Sequence, residues 1–389
     1  MSRVLFLITE DTGYLNEITR LGQSPIHLSA GWPEGLSLIL DHGGREYVNK
    51  TDNAGFLPVS YASRHKNPEC LKILLEADSA LYSPSTRYCS SDVLFDTCRN
   101  CGRDILQVIL KHLVDRQRRL HRLALTTYPT ILEDLEFPIR NNQLLEGKAS
   151  KVYSILVEKN VDVPEALAVY GDGNIFQLLL TKSQWFASIE HPVAIAQMSW
   201  DAGFRNVDEY DDKKKTPLMR GVPPVSFKSD NHMAPLLYLL SWLVDRGADL
   251  RKCDLRLIKE GGDSWALHTP AAHFIALTLT RFYDILWLLN IQPSSSMLPE
   301  RVEAAAFSFR VIHENVCDNC ICGCSSAGCL PLSQMLKHLW DWDEWDWDET
   351  SYLFPENQPK TSSYFNRRKL YNCVGIKTSS AQRHLTNCS

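Results

Sequence analysis

Residues 48–75, VNKTDNAGFLPVSYASRHKNPECLKILL, decide how this chain folds. Asn49, Asp52 and Gly55 have the spacing of a tight β-turn that feeds a helix. Leu57-Pro58 opens a short helix, because proline at the first helical position lacks only an N–H that would have no partner there. Asn67-Pro68 stops that helix and starts another, since proline biases the residue before it away from helical angles. In the second helix Leu71, Leu74 and Leu75 fall at i, i+3 and i+4 and make one apolar stripe. Turn, helix, turn and helix in about 33 residues form a unit that cannot cover its own apolar face, so copies of it are expected to stack.

Working outward, Gly22–Ala30 (GQSPIHLSA) opens an earlier copy, with Ser24 as helix cap and Pro25 at the first helical position. Trp32–Gly35 is its inter-helix turn and Leu36–Leu40 its second helix. A weaker copy starts near Asp92, with Arg99–Gly102 as the turn and Ile105, Leu106, Ile109 and Leu110 as the stripe. Arg116–Pro138 departs from the period and reads as irregular helices inserted in the array. Tyr153–Val163, Pro164–Leu180 and Ala202–Asp208 keep fragments of the pattern. Lys215-Thr216-Pro217-Leu218 opens another unit, whose hairpin would cross Glu209–Lys215. Trp242–Leu250 (WLVDRGADL) closes that unit after a Pro- and Ser-rich insertion at Gly221–Met233. A last copy begins at Thr269–His273, with Phe282–Leu289 as its second helix.

These segments resemble the ankyrin-repeat family, whose pattern runs D-x-x-G-x-T-P-L-H-x-A before a leucine-rich second helix. The resemblance implies an all-α solenoid of helix-turn-helix repeats with β-hairpin loops, and a protein–protein interaction scaffold with no catalysis. Its concave surface and hairpin tips would meet a protein partner. Repeat geometry places Lys50, Thr51, Asn53, Ala54, Tyr210, Asp211, Asp212 and Lys213 at such tips. His27 sits at the family's histidine position, where the imidazole bonds neighbouring backbone and serves structure, not catalysis.

The domains expected are a capping helix at 1–21 with Val4, Leu5, Leu7 and Ile8 as its apolar face, and repeats at 22–115. An irregular helical insertion at 116–140 and degenerate repeats at 141–295 follow. A Cys-rich element with an acidic, Trp-rich helical segment at 296–357 precedes a partly disordered tail at 358–389. At 389 residues the chain exceeds one ordinary core. The net charge of −5 gives no general attraction for nucleic acid or acidic membrane, and Arg116–Arg119 and Lys213–Lys215 read as solvated surface. The apolar run Val4–Ile8 is too short for a signal peptide, and no stretch reads as a membrane span. The chain is therefore expected inside the cell, in the cytoplasm or nucleus, where its 12 cysteines stay reduced or bind metal.

Two stretches carry unusual chemistry. Cys317, Cys320, Cys322, Cys324 and Cys329 offer more than the four thiolates of a tetrahedral zinc, and Gly323 and Gly328 let the chain wrap an ion. The cluster also resembles a CxxCxCxCSxxGC element of fungal ankyrin-like proteins. The alternative function is thus a metal- or redox-responsive regulator that binds zinc here; surface thiols in a loop are the plain reading. Trp340–Glu349 sets four tryptophans among six carboxylates, a patch suited to basic partners through charge and cation–π contact, or an edge that packs on the array. Cys98-x-x-Cys101 reads as an inter-helix turn. GxxxxGK, GxGxxG, GxSxG and HExxH motifs are missing, so neither an enzyme nor a small-molecule substrate is expected.

Overall fold

Pro25, Pro33, Pro58 and Pro68 each start a helix in the computed structural model, as their fixed φ and missing N–H dictate. The structure describes residues 12–82, 93, 97, 102–132, 144–169, 175–181, 192–211, 214–220, 233–253, 257–260, 263–266, 269–281, 299–315, 317 and 330–331. The chain divides into two compact units. One holds Met1–Leu179, Ser188–Glu190 and Ala194–Asn206, and the other holds Leu180–Ala187, His191–Val193 and Val207–Ser389.

The first unit begins with two helix pairs, Pro25–Leu28 with Pro33–Asp41, and Pro58–Arg64 with Pro68–Glu76. First helix packs on first helix and second on second, the register of a stacked repeat. Ile26, Leu36, Leu57, Val59, Leu71 and Leu74 are buried between them. Burial of each large side chain contributes about 1.5–3 kcal/mol. Two asparagines fasten the pairs. Asn67 caps its helix by accepting from the Glu69 and Cys70 amides at 3.1 Å, and its own amide donates to the Gly31 carbonyl of the preceding pair at 3.3 Å. The Asn49 Oδ1 accepts from the Ala80 amide at 2.6 Å, and its Nδ2 donates to the Asp78 carbonyl at 3.3 Å.

The expected break at residue 116 is absent. Arg103–Thr127 is one continuous helix that packs on Pro68–Glu76 and on Ala149–Glu158. It contains no proline or glycine, and Ile105, Ile109, Leu113, Arg116, Leu120 and Ala124 continue a single buried stripe at helical spacing. Leu120 and Ala124 join Leu145, Ala149, Val152, Leu156 and Leu167 in one core cluster. Beyond Leu132 the expected insertion lies outside the described residues.

Of the capping helix expected at 1–21, only 12–21 is described. Within 12–21 only Thr12–Asn16 is helical, as a 3-10 turn. The Thr19 hydroxyl accepts from the Leu21 and Gln23 amides at 3.2 Å, a local closure that competes with helix. Residues 1–11, including Val4, Leu5, Leu7 and Ile8, lie outside the described residues.

The second unit contains the helices Pro217–Arg220, Met233–Asp245, Ala271–Arg281 and Pro299–Ile312. Between the second and third of these, Leu257–Glu260 and Asp263–Ala266 pair antiparallel, in register Leu257 with Ala266 and Glu260 with Asp263. Below that finger the link is closed by Ala271 N–H to the Lys252 carbonyl and Ala272 N–H to the Leu250 carbonyl, both 2.9 Å. Helical packing continues past the array end expected at 295. Pro299–Ile312 lies against Met233–Asp245, with Ala304, Phe307 and Val311 buried at i, i+3 and i+7. Its alanine-rich sequence carries no repeat signature, and that hid it. Among the described residues the fold is helical, built of packed helix pairs, with one two-stranded hairpin.

Candidate interaction surface

Two repeat turns among the described residues are held by a carboxylate. Asp52 is buried, and its Oδ1 accepts from the Ala54 amide at 2.9 Å and the Phe56 amide at 2.8 Å. Its Oδ2 accepts from the Tyr61 hydroxyl at 2.6 Å, and the Tyr61 oxygen accepts from Gln23 Nε2 at 2.8 Å. The backbone closes beneath it, Asp52 N–H to the Phe56 carbonyl and Gly55 N–H to the Asp52 carbonyl, both 3.0 Å. Gly55 takes φ +83°, a left-handed angle that glycine adopts without a Cβ clash.

His27 pins this turn to the preceding helix pair. Its Nδ1 meets the Ser24 hydroxyl at 2.8 Å, and its Nε2 meets the Phe56 carbonyl at 3.2 Å. Burial pushes the imidazole below its ordinary pKa, so it stays neutral, while the Phe56 carbonyl and Asp52 pull weakly the other way. The structural role expected of His27 is what these contacts describe.

Asp211 repeats the device in the second unit. It is buried, its Oδ1 accepts from the Lys215 amide at 2.8 Å, and its Oδ2 pairs with Arg220. The backbone bonds recur, Asp211 N–H to the Lys215 carbonyl and Lys214 N–H to the Asp211 carbonyl, both 3.0 Å. Lys214 occupies the left-handed place of Gly55, at φ +56°.

The eight expected tip residues therefore separate. Lys50, Asn53 and Ala54 are exposed and Thr51 is half-buried. Lys50 Nζ lies 4.0 Å from the centre of the Tyr47 ring. Asn53 is spent on the fold: its N–H bonds the Leu21 carbonyl at 3.0 Å and its Nδ2 the Arg20 carbonyl at 3.1 Å. Tyr210 is half-buried and donates to the Cys253 carbonyl at 2.8 Å, with Lys252 Nζ 4.6 Å from its ring centre. Asp211 is the turn's buried anchor. Asp212 and Lys213 lie outside the described residues. Sequence reading named Asp52 as a turn residue but overlooked its grip on Tyr61, and overlooked Arg220, although aligning TDNAGFLP (51–58) with YDDKKKTP (210–217) matches both aspartates and both prolines.

Of the candidate metal ligands only Cys317 is described, and it is exposed. Cys320, Cys322, Cys324 and Cys329, like Cys98-x-x-Cys101 and the Trp340–Glu349 patch, lie outside the described residues. Among the described residues no group of three or more His, Cys, Asp or Glu side chains could hold an ion. Burial pushes the Cys70 thiol up to about 11 and raises Cys253 as well, so both favour the unreactive protonated form. No described helix is long and apolar enough to cross a membrane.

No family model matches this chain, and no curated protein matches it. Among solved structures, the chain is similar to the ankyrin repeat domain of Bcl-3, a member of the IkappaB protein family. Identity there is 14%, with 65% of this chain and 82% of that one covered, at a TM-score of 0.33. It is also similar to the human ASB11 ankyrin repeat domain, at 16% identity, 67% and 98% coverage and a TM-score of 0.27.

Proposed function

We propose that this chain is a protein–protein interaction scaffold that offers its repeat turns to a partner and performs no catalysis. The observation that carries the reading is the Asp52 turn. Five hydrogen bonds to or beneath one buried carboxylate hold the turn, yet Lys50 and Ala54 remain exposed on it. A rigid loop with outward side chains loses little conformational entropy when it binds, so its contacts convert to affinity efficiently. Lys50, Thr51 and Ala54 are the contact residues of this turn, and Lys213 and Asp212 those of the Asp211 turn.

The test is capture of partners by the wild type and by a Lys50→Glu/Ala54→Glu double variant, each with matched thermal stability. Loss of the same partners from the variant is the expected result. Partners retained at wild-type levels would remove this turn from the binding surface.

A further inference from the structure

The segment before the first helix pair closes as the Asp52 turn does, with a threonine in the aspartate's place. Thr19 Oγ1 accepts from the Leu21 and Gln23 amides at 3.2 Å, as Asp52 Oδ1 accepts from the Ala54 and Phe56 amides. Thr19 N–H meets the Gln23 carbonyl at 2.9 Å and Gly22 N–H the Thr19 carbonyl at 2.8 Å, the same two backbone bonds. Gly22 is left-handed at φ +76°, in the place of Gly55. The two turns lie side by side, since Asn53 donates to the Leu21 and Arg20 carbonyls. By this register Ile18 and Leu21 stand where the second turn has Thr51 and Ala54, and Leu28 stands where the next helix has Tyr61. Tyr61 reaches Asp52 with its hydroxyl, whereas Leu28 has none to offer Thr19. Ile18, Leu21 and Leu28 are 69%, 63% and 61% exposed, the three most exposed large apolar side chains among the described residues. Single exposed apolar residues are ordinary, but three at one turn are a contact surface.

We propose that this first turn docks an acidic, apolar segment of the protein partner, with large apolar side chains against Ile18, Leu21 and Leu28 and flanking carboxylates near Arg20. The proposal rests on the scaffold reading above and gives it a partner chemistry. Charge decides the flanking groups. Arg20 and Lys50 are exposed on the two turns, and the exposed Arg64 guanidinium lies 3.9 Å from the centre of the Phe56 ring on the second. Against these stands the exposed Glu17, while Asp52 is buried and already accepts three hydrogen bonds. The turns are thus locally basic on a chain of net charge −5. Apolar contacts at the centre exclude water and supply affinity, and charges at the rim steer and select the partner. An anionic lipid surface would meet the same apolar and basic groups, but the net negative charge of the whole chain opposes its approach. A peptide segment need face only this turn.

The experiment pans a phage-displayed library of random dodecapeptides against the immobilised full chain, then titrates the most enriched peptide with the wild type and with variants. Enriched sequences are expected to combine aliphatic or aromatic residues with Asp or Glu. Ile18→Ser and Leu21→Ser should each weaken binding about tenfold, the loss of one buried apolar side chain. Arg20→Gln should weaken it about threefold, an effect that added salt removes. All three residues are exposed, so the variants should melt with the wild type. Failure to enrich any peptide, enrichment of basic or wholly polar peptides, or equal binding by an Ile18→Ser/Leu21→Ser variant would each overturn the site. Sedimentation of the wild type as a dimer and of that variant as a monomer would assign the surface to a second copy and overturn the partner segment. So would binding to phosphatidylserine vesicles that the double variant loses. Partners kept by Lys50→Glu/Ala54→Glu would count against the second turn alone, and peptides indifferent to Ile18 and Leu21 against the first, so the two readings fail separately.

Discussion

The Asp52 and Asp211 turns share a backbone and almost no side chains. In both, an aspartate accepts from the amide four residues on and grips a side chain nine residues on. In both, the residue three places on is left-handed and a proline starts the following helix. Yet the grip is a neutral Tyr61 hydroxyl in one and the charged Arg220 in the other, and glycine in one place is lysine in the other. Hydrogen-bond geometry is what this turn requires of its sequence. The donors can be swapped as long as the carboxylate remains.

The two turns therefore break differently. The largest effect is expected from Asp211→Ala, which removes the carboxylate that pairs with the half-buried Arg220 charge and accepts from the Lys215 amide. Removing one partner of a poorly solvated pair costs about 3 kcal/mol. Asp52→Ala leaves two amides and a neutral hydroxyl, and should cost about 2 kcal/mol. Chemical denaturation of each variant gives the order, and hydrogen exchange at the Phe56 and Lys215 amides shows whether the loss begins in the turn. If Asp52→Ala proves the costlier, the charge on Arg220 is not what distinguishes the turns.

The next comparison tests the pinning histidine. His27 is held below its ordinary pKa, so the unfolded chain binds a proton at that residue which the folded chain refuses. Stability contributed by neutral His27 is present above the unfolded value of about 6.5 and falls as the pH drops through it. His112 and His121 are also lowered by burial and act in the same direction. Melting temperatures between pH 8 and pH 5 should decline below about 6.5, with exchange at the Phe56 amide accelerating first. Unchanged protection at Phe56 across that range would mean that His27 does not hold the turn.

Much of this fold is legible because proline and glycine act locally. Pro25, Pro58, Pro68 and Pro217 mark helix starts that the chain keeps, and Leu71, Leu74 and Leu75 are the buried stripe their spacing implies. The long helix was hidden because Arg116, Gln117 and His121 occupy buried positions, so the apolar period looks broken where the helix continues. Gln117 is met from another element: its Oε1 accepts from the Glu146 amide at 2.9 Å, a contact 29 residues away. The tip residues were legible only as a location. Asp211 was counted with the outward residues because aspartate at a turn looks solvated, and only the Lys215 amide and Arg220 show that it faces in. Glu146 does the same at a distance, its two oxygens accepting from the Arg205 and Asn206 amides at 3.0 and 2.9 Å.

The smallest effect concerns the left-handed residue, where the two turns should respond with opposite sign. Gly55→Ala adds a Cβ at φ +83°, where an L side chain meets its own backbone, and should cost about 1–2 kcal/mol. Lys214 already bears that strain at φ +56°, and is exposed, so Lys214→Gly removes a Cβ without losing packing. Glycine also gives the unfolded chain more freedom, which offsets part of the relief. The net gain should be no more than about 1 kcal/mol, read as a small rise in denaturation midpoint with the slope unchanged. A loss on Lys214→Gly of the size seen for Gly55→Ala would mean that the lysine side chain, not the backbone angle, sets the second turn. That outcome would undo the equivalence of the two turns at the one position where their sequences differ most in conformational demand.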